Sequence, residues 1–284
     1  MPTEFIDIHP HVISDDTKRY PHAPLFGVQS TWSRERPVTI DGLIGAMDDA
    51  GVQKAAIVQA STCYGYDNSY VTDAIAQYPS RFTAVASVDL PQPDAVREVR
   101  RWIGRRVSGL RLFTGGSTAE FDTSALDDSR SFPVWELCAE TGLSMCLQTN
   151  FTGLAQVAGL AKRFPKVRII LDHLSRPDIT DGPNYKKAAS LFALSVFENV
   201  YLKLTPRIFQ DSQRGKASPE TFFPRLIEVF GAERLAWGSN FPASEGSMAN
   251  NLEVAKRCLD CLKSEDRRWI FAKTAQKLYP ALED

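Results

Sequence analysis

A single (β/α)8 barrel spanning residues 1–284 is expected from three features of the chain. Short apolar runs alternate with helical patterns from end to end, giving eight β–α units. The runs are apolar nearly throughout, as in parallel strands covered on both faces, rather than alternating apolar and polar. No shift of composition divides the chain, and 284 residues suit one such barrel. A doubly wound open sheet is the alternative. Its usual glycine-rich phosphate loop after the first strand is missing, because HPHV stands there instead.

The first strand is read in EFIDIHPHV (4–12), followed by a long polar loop and a helix in TIDGLIGAMDDAG (39–51), stopped by Gly51. QKAAIVQAS (53–61) is the second strand, and NSYVTDAIAQYP (68–79) its helix, stopped by Pro79. FTAVASVDL (82–90) precedes PDAVREVRRWIG (93–104), which has proline at its start. VSGLRLF (107–113) precedes the SFPVWELCAETG region (131–142). LSMCLQT (143–149) pairs with GLAQVAGLAKRFP (153–165), and VRIILDH (167–173) with NYKKAASLFALSVF (184–197). NVYLKLT (199–205) is followed by SPETFFPRLIEVFG (218–231), and RLAWGSN (234–240) by a helical stretch from about 249. Three connections, 12–36, 114–130 and 206–217, are long for this fold, after strands 1, 4 and 7. Such loops are usually functional or mobile.

Composition narrows the function. A net charge of −1 provides no basic field for nucleic acid and no acidic tail. No run of about 18 apolar residues predicts a membrane span. MPTEFIDIHP lacks the positive and apolar regions of a secretory signal, so a cytoplasmic protein is expected. The five cysteines, Cys63, Cys138, Cys146, Cys258 and Cys261, are scattered and odd in number, which suggests reduced thiols. Cys258-x-x-Cys261 falls within a helical pattern that places Leu252, Ala255, Leu259 and Leu262 on one side, away from the strand-fed setting of a redox motif. A homo-oligomer is left open.

In such a barrel the active site lies at the carboxyl ends of the strands. Those ends present His9 and His11, Ser61 with Tyr64 beyond it, Arg111, Gln148, Asp172 with His173 and Arg176, Lys203 with Arg207, and Asn240. Alternation along a strand would put Asp7, His9 and His11 on one face. A single histidine at a strand end is usually structural. Three of the chain's four at these ends point to a site, with only His22 in the first loop. Arg111 stands inside the apolar GLRLF, an unusual place for a solvated charge. Any of the arginines has a plain alternative role in rim salt bridges, and Gln148 one in satisfying backbone groups.

DIHPHV, LDHLSRPD and WGSNFP, in this order and spacing, resemble the amidohydrolase superfamily in its amidohydrolase-2 branch. YPHAPLFG, VQASTCYGYDN and GLRLF bring the resemblance nearest to 2-pyrone-4,6-dicarboxylate lactonase-like hydrolases. The resemblance implies a hydrolase that opens a lactone, or a related ester, of a small carboxylate substrate in aromatic compound catabolism. It implies catalysis without metal, with His9, His11 and His173 holding the substrate carbonyl and Arg176 a carboxylate. Arginines suit carboxylates by their bidentate fork, so Arg111 and Arg207 are expected to serve similarly. Ser61, Tyr64 and Gln148 complete the expected substrate site.

A two-metal amidohydrolase would carry a lysine where Arg111 stands, a histidine for Gln148 and an aspartate for Asn240. One zinc or manganese ion on His9, His11 and His173 remains the alternative, with a decarboxylase as its sister reaction. Asn240 replaces the aspartate that acts as general base in the resembled lactonases. An amide positions water but accepts no proton. Either His11, His173 or Asp7 is the base, or Asn240 is an inactivating substitution, or the protein is a non-catalytic carboxylate binder.

Overall fold

The computed structural model describes residues 4–283. Eight parallel strands lie in sequential order: β1 (Ile6–Asp7), β2 (Lys54–Val58), β3 (Phe82–Ser87), β4 (Val107–Phe113), β5 (Ser144–Gln148), β6 (Ile169–Leu171), β7 (Val200–Leu204) and β8 (Leu235–Trp237). The Ile8 amide donates to the Trp237 carbonyl at 3.2 Å, which brings β1 against β8 and closes the barrel. Helices cover the outside, as a parallel sheet requires.

Each strand divides its side chains between two layers. Leu110 and Leu112 of β4, Leu202 and Leu204 of β7, and Trp237 of β8 pack outward with the helices. Ile6, Ile8, Ala56, Val58, Val85, Cys146, Ile170, Tyr201 and Ala236 form a second cluster inside the barrel. The C-terminal segment supplies Ala272, Ala275, Leu278, Tyr279 and Leu282 to that cluster, plugging one end. A Cβ on Gly109 would lie 3.0 Å from the Tyr279 ring, so the glycine lets the plug pack closely against β4.

The helix Ile40–Ala50 shows why the local sequence suffices for the outer layer. Thr39 caps it by accepting from the Gly42 amide, and Ile40, Leu43 and Met47 are buried. Gly51, at φ 71°, ends it in the left-handed conformation that glycine adopts freely.

Three expectations need correction. The first strand is two residues long and not nine, because the chain turns after Asp7. The connection 206–217 begins with a helix, Pro206–Asp211, in which proline at the first turn and buried Ile208 and Phe209 do what the polar residues around them conceal. The sixth helix is broken into short turns, Lys186–Ala188, Ala189–Ala193 and Leu194–Val196. Its buried Ala188, Leu191 and Leu194 recur every three residues, the period of a 3₁₀ turn. The other two long connections hold only short helical pieces, among them Thr31–Glu35, which carries Trp32, and the turns capped by Asp122 and Asp128. Leu252, Ala255, Leu259 and Leu262 are buried together as expected, although their helix stops at Cys258. No helix of the described residues is long and apolar enough to cross a membrane.

Candidate active site

The site begins where β1 ends. Ile6 and Ile8 face into the barrel, so Asp7 between them faces out, and the expected shared face of Asp7, His9 and His11 does not exist. Asp7 instead accepts from the backbone amides of His9 and Ser239, both at 2.9 Å. This pins the turn that swings His9 inward at the β1–β8 seam. Gly238 makes room, because a Cβ there would stand 2.6 Å from that of His9. Burial pushes the Asp7 carboxyl up to about 6, against the lowering effect of its bonds to Ser239 and His9.

The floor of the site is a buried charged network. The Asp172 carboxylate receives Lys203 Nζ at 2.7 Å and Arg111 Nε at 2.8 Å, with His9 Nδ1 at 3.6 Å. Lys203 Nζ also lies 2.8 Å from His9 Nδ1 and 3.6 Å from Cys146 Sγ. Asp172 and Lys203 are fully buried. Burial alone would raise the Asp172 carboxyl, but the Lys203 ammonium and Arg111 guanidinium outweigh it and hold the group well below the usual carboxylate range.

Three histidines stand over this floor. The ring centroids of His9 lie 5.0 Å from those of both His11 and His173. His11 Nδ1 donates to the Val58 carbonyl at 2.8 Å, which leaves its Nε2 with a lone pair. His173 Nδ1 pairs with the Thr205 hydroxyl at 2.7 Å. Burial is the main reason that all three imidazoles are held neutral: His9 is pushed well down by burial and then by Lys203. His11 is lowered to about 3 by burial and then by Arg111. His173 falls to about 3 because burial exceeds the opposing pull of Asp172.

His173 owes its placement to an unusual turn. Residues 173–176 all have φ between 53° and 56°, one left-handed turn built without glycine. Each such residue costs about 1–2 kcal/mol. The turn sends both His173 and Arg176 to the barrel mouth, which is a functional arrangement rather than a stable one.

The resulting cavity has a volume of about 180 Å³. His11, Ser61, Arg111, Gln148, His173, Arg176 and Asn240 line it, as does Trp32, stacked on His11 at 5.1 Å. Gln148 accepts from Arg111 at 3.2 Å, and the Ser61 hydroxyl bonds Ser87 at 2.6 Å. Arg176 Nε is buried without a partner, and its guanidinium sits over the Phe121 ring at 4.9 Å. Asn240, at φ 52°, donates to the Ser244 hydroxyl at 2.9 Å. A second chamber of about 300 Å³ shares His173, Arg176 and Asn240 and adds Arg207 and Gln210.

Seven of the ten expected residues therefore line the cavity, and His9, fully buried, stands behind His11 and His173 with its ring 5.0 Å from each. Arg207 belongs to the outer chamber, largely exposed and 3.6 Å from Asp211. Tyr64 is off the cavity: its hydroxyl accepts from the Ser14 amide at 2.8 Å, seating the first loop, and His22 meets its ring edge-on. Sequence reading passed over the parts played by Lys203 and Asp172. The signal existed, since a lysine inside VYLKL is as anomalous as Arg111 in GLRLF. Trp32 carried no such signal, because a loop residue gains its position only from folding. The Cys258 and Cys261 thiols are unpaired and pushed up by burial, the reverse of a reactive pair.

Positive charge of the protein's own already stands beside the three histidines. Two protein cations already neutralise Asp172 beside them, and Lys203 occupies His9 Nδ1. Among the described residues no group of three or more His, Cys, Asp or Glu is arranged to hold an ion.

Residues 6–281 match the model of the Amidohydrolase family, amidohydrolase-2 branch. The L-fucono-1,5-lactonase of Burkholderia ambifaria is 24% identical over 227 residues, 77% of each chain. A putative 2-pyrone-4,6-dicarboxylic acid hydrolase from Pseudomonas putida superposes with a TM-score of 0.77 at 23% identity, covering all of both chains. An amidohydrolase from Burkholderia multivorans, solved with bound zinc, gives 0.77 at 18% identity over 98% of this chain and 99% of its own.

Proposed function

The chain belongs to the amidohydrolase family, and from that premise we propose that it hydrolyses a lactone, or a related cyclic ester, of a small carboxylate-bearing substrate without a metal ion. The observation that carries this reading is the buried His9 Nε2, which has no hydrogen-bond partner among the described residues and stands between two neutral imidazoles over a cationic floor. A buried polar atom without a partner is costly unless a ligand satisfies it. The lactonase and pyrone hydrolase among the similar proteins support the reaction class.

Each residue then has a task. Arg176, with a free buried N–H, and Arg111 hold the substrate carboxylate. Ring N–H groups of His9 and His173 donate to the carbonyl oxygen where negative charge develops. His11 is the base. Its Nε2 lone pair takes a proton from water as the water oxygen bonds to the carbonyl carbon. The tetrahedral alkoxide collapses, the ring C–O bond breaks, and the imidazolium returns the proton to the leaving oxygen. The products are one carboxylic acid and one hydroxyl group. Burial, and then Arg111, make His11 a weak base. A bound carboxylate offsets the Arg111 part of that lowering and so favours the imidazolium. Asn240 orients the water, and Asp7, turned away from the cavity, takes no part.

Turnover of carboxylated pyrones and sugar lactones by chelator-treated protein tests the reading. Hydrolysis without added metal is expected, falling 10²–10⁴-fold in His11→Gln, the usual contribution of a general base. Dependence on zinc or manganese would support the metal reading. Binding without turnover in the parent, with turnover appearing in Asn240→Asp, would identify a binder that lacks its base.

A further inference from the structure

We propose that Lys203 is a positioning residue that fixes the tautomer of His9, making its Nε2 a hydrogen-bond donor and unable to act as a metal ligand. The argument rests on valence and holds whatever substrate the site takes. A lysine ammonium has three donors and no acceptor, and a neutral imidazole has one of each. Lys203 Nζ lies 2.8 Å from His9 Nδ1 and 2.7 Å from a carboxylate oxygen of Asp172. The ammonium therefore donates to both, and Nδ1 must be the lone-pair nitrogen. The ring proton is left on Nε2, the buried atom from which no group of the described residues accepts.

The same neighbours explain what the lysine prevents. His9 Nδ1 is 3.6 Å from Asp172 Oδ1. Without Lys203 the ring would shift its proton to Nδ1 and donate to that carboxylate. That is the carboxylate–histidine pairing that presents an Nε2 lone pair to a metal. Lys203 has taken Asp172 out of this pairing, and it brings a positive charge to the position that an ion would need clear. The seat of the lysine is specific. It is fully buried in β7, with Cys146 Sγ at 3.6 Å on its remaining side.

Two measurements test the assignment. The first is long-range ¹H–¹⁵N correlation on the parent protein, tractable because the chain has four histidines. His9, identified by its loss in His9→Gln, should show the Nε2–H tautomer. A protonated Nδ1 would overturn the proposal; the tautomer is read on the parent itself, and His9→Gln, checked for folding by circular dichroism, serves only to assign the signal. The second is zinc titration by calorimetry of the parent and of Lys203→Met, each checked by circular dichroism. The variant should bind one zinc at least about 10–100-fold more tightly than the parent, the scale on which such partners alter metal affinity, with His9 switched to Nδ1–H. Equal zinc affinity and an unchanged tautomer in a folded variant would overturn it. Neither readout depends on turnover, so the assignment and the lactonase reading stand or fall separately.

Discussion

The two ends of the barrel interior solve the same problem in opposite ways. At one end the chain fills the lumen with Leu278, Tyr279 and Leu282, packed on Ile6, Val58 and Ile170. At the other end it buries Asp172, Lys203 and Arg111 with three neutral histidines. The first end gains free energy from area removed from water. The second must recover in Coulomb attraction what desolvation takes, and buried ion pairs commonly do no better than break even. The plug therefore stabilises the barrel, and the charged floor prepares a site in it.

The largest effect should come from the plug. Tyr279→Ala removes a fully buried ring whose hydroxyl lies 3.3 Å from Cys146 Sγ. It should cost about 3–5 kcal/mol in urea unfolding, with ligand affinity unchanged in the folded fraction. A matching loss of affinity would mean that the two ends are mechanically coupled.

The two buried carboxylates sharpen the contrast through pH. Asp7 has no cation in contact and is raised from 3.8 to about 6. Its contribution to stability is therefore full below about pH 4 and is lost as pH rises through 6, a change of about 3 kcal/mol for a shift of this size. Asp172 is lowered by its cations, so its contribution is present above the ordinary carboxylate range and is lost as pH falls below it. Asp7→Asn keeps an oxygen for the His9 and Ser239 amides. It should flatten the fall in stability between about pH 4 and 6, leaving acid unfolding below pH 4 intact. An unaltered profile between about pH 4 and 6 would show that Asp7 is not the group responsible.

The contrast also explains what could be read from the sequence. The barrel was legible because apolar strands and amphipathic helices carry their period locally, as in Ile40–Ala50 with its threonine cap and terminal glycine. The gathering of His9, His11, Arg111, His173 and Asn240 followed from one rule about strand ends. The bond pattern at Lys203 did not, because it links β7 to β1 and β6 across 194 and 31 residues. Asp7 was misplaced for a related reason. Alternation fixes which side a residue takes only while the strand lasts, and β1 lasts two residues.

Arg176 and Arg207 divide the open end itself. Arg176 has a buried, unpartnered Nε and lines both chambers. Arg176→Met should weaken a carboxylate ligand by about 1.5–3 kcal/mol, the worth of a charge-assisted hydrogen bond, measured by calorimetry. An unchanged affinity would make the arginine structural.

Arg207 should matter least. More than half of its side chain is exposed, and Asp211 stands 3.6 Å from its Nε. Solvent screens the charge, and an exposed pair of this kind contributes at most about 1 kcal/mol. It lines the outer chamber and not the inner cavity, whereas Arg176 lines both. Arg207→Met should therefore leave a monocarboxylate's affinity within about twofold of the parent, and it should lessen the salt dependence of association, because a rim charge acts mainly on encounter. A dicarboxylate makes the discriminating ligand. If Arg207→Met weakens it as much as Arg176→Met does while sparing the monocarboxylate, the outer chamber is a second carboxylate subsite. The boundary between charged site and solvent would then lie one helix further out, at Pro206–Asp211.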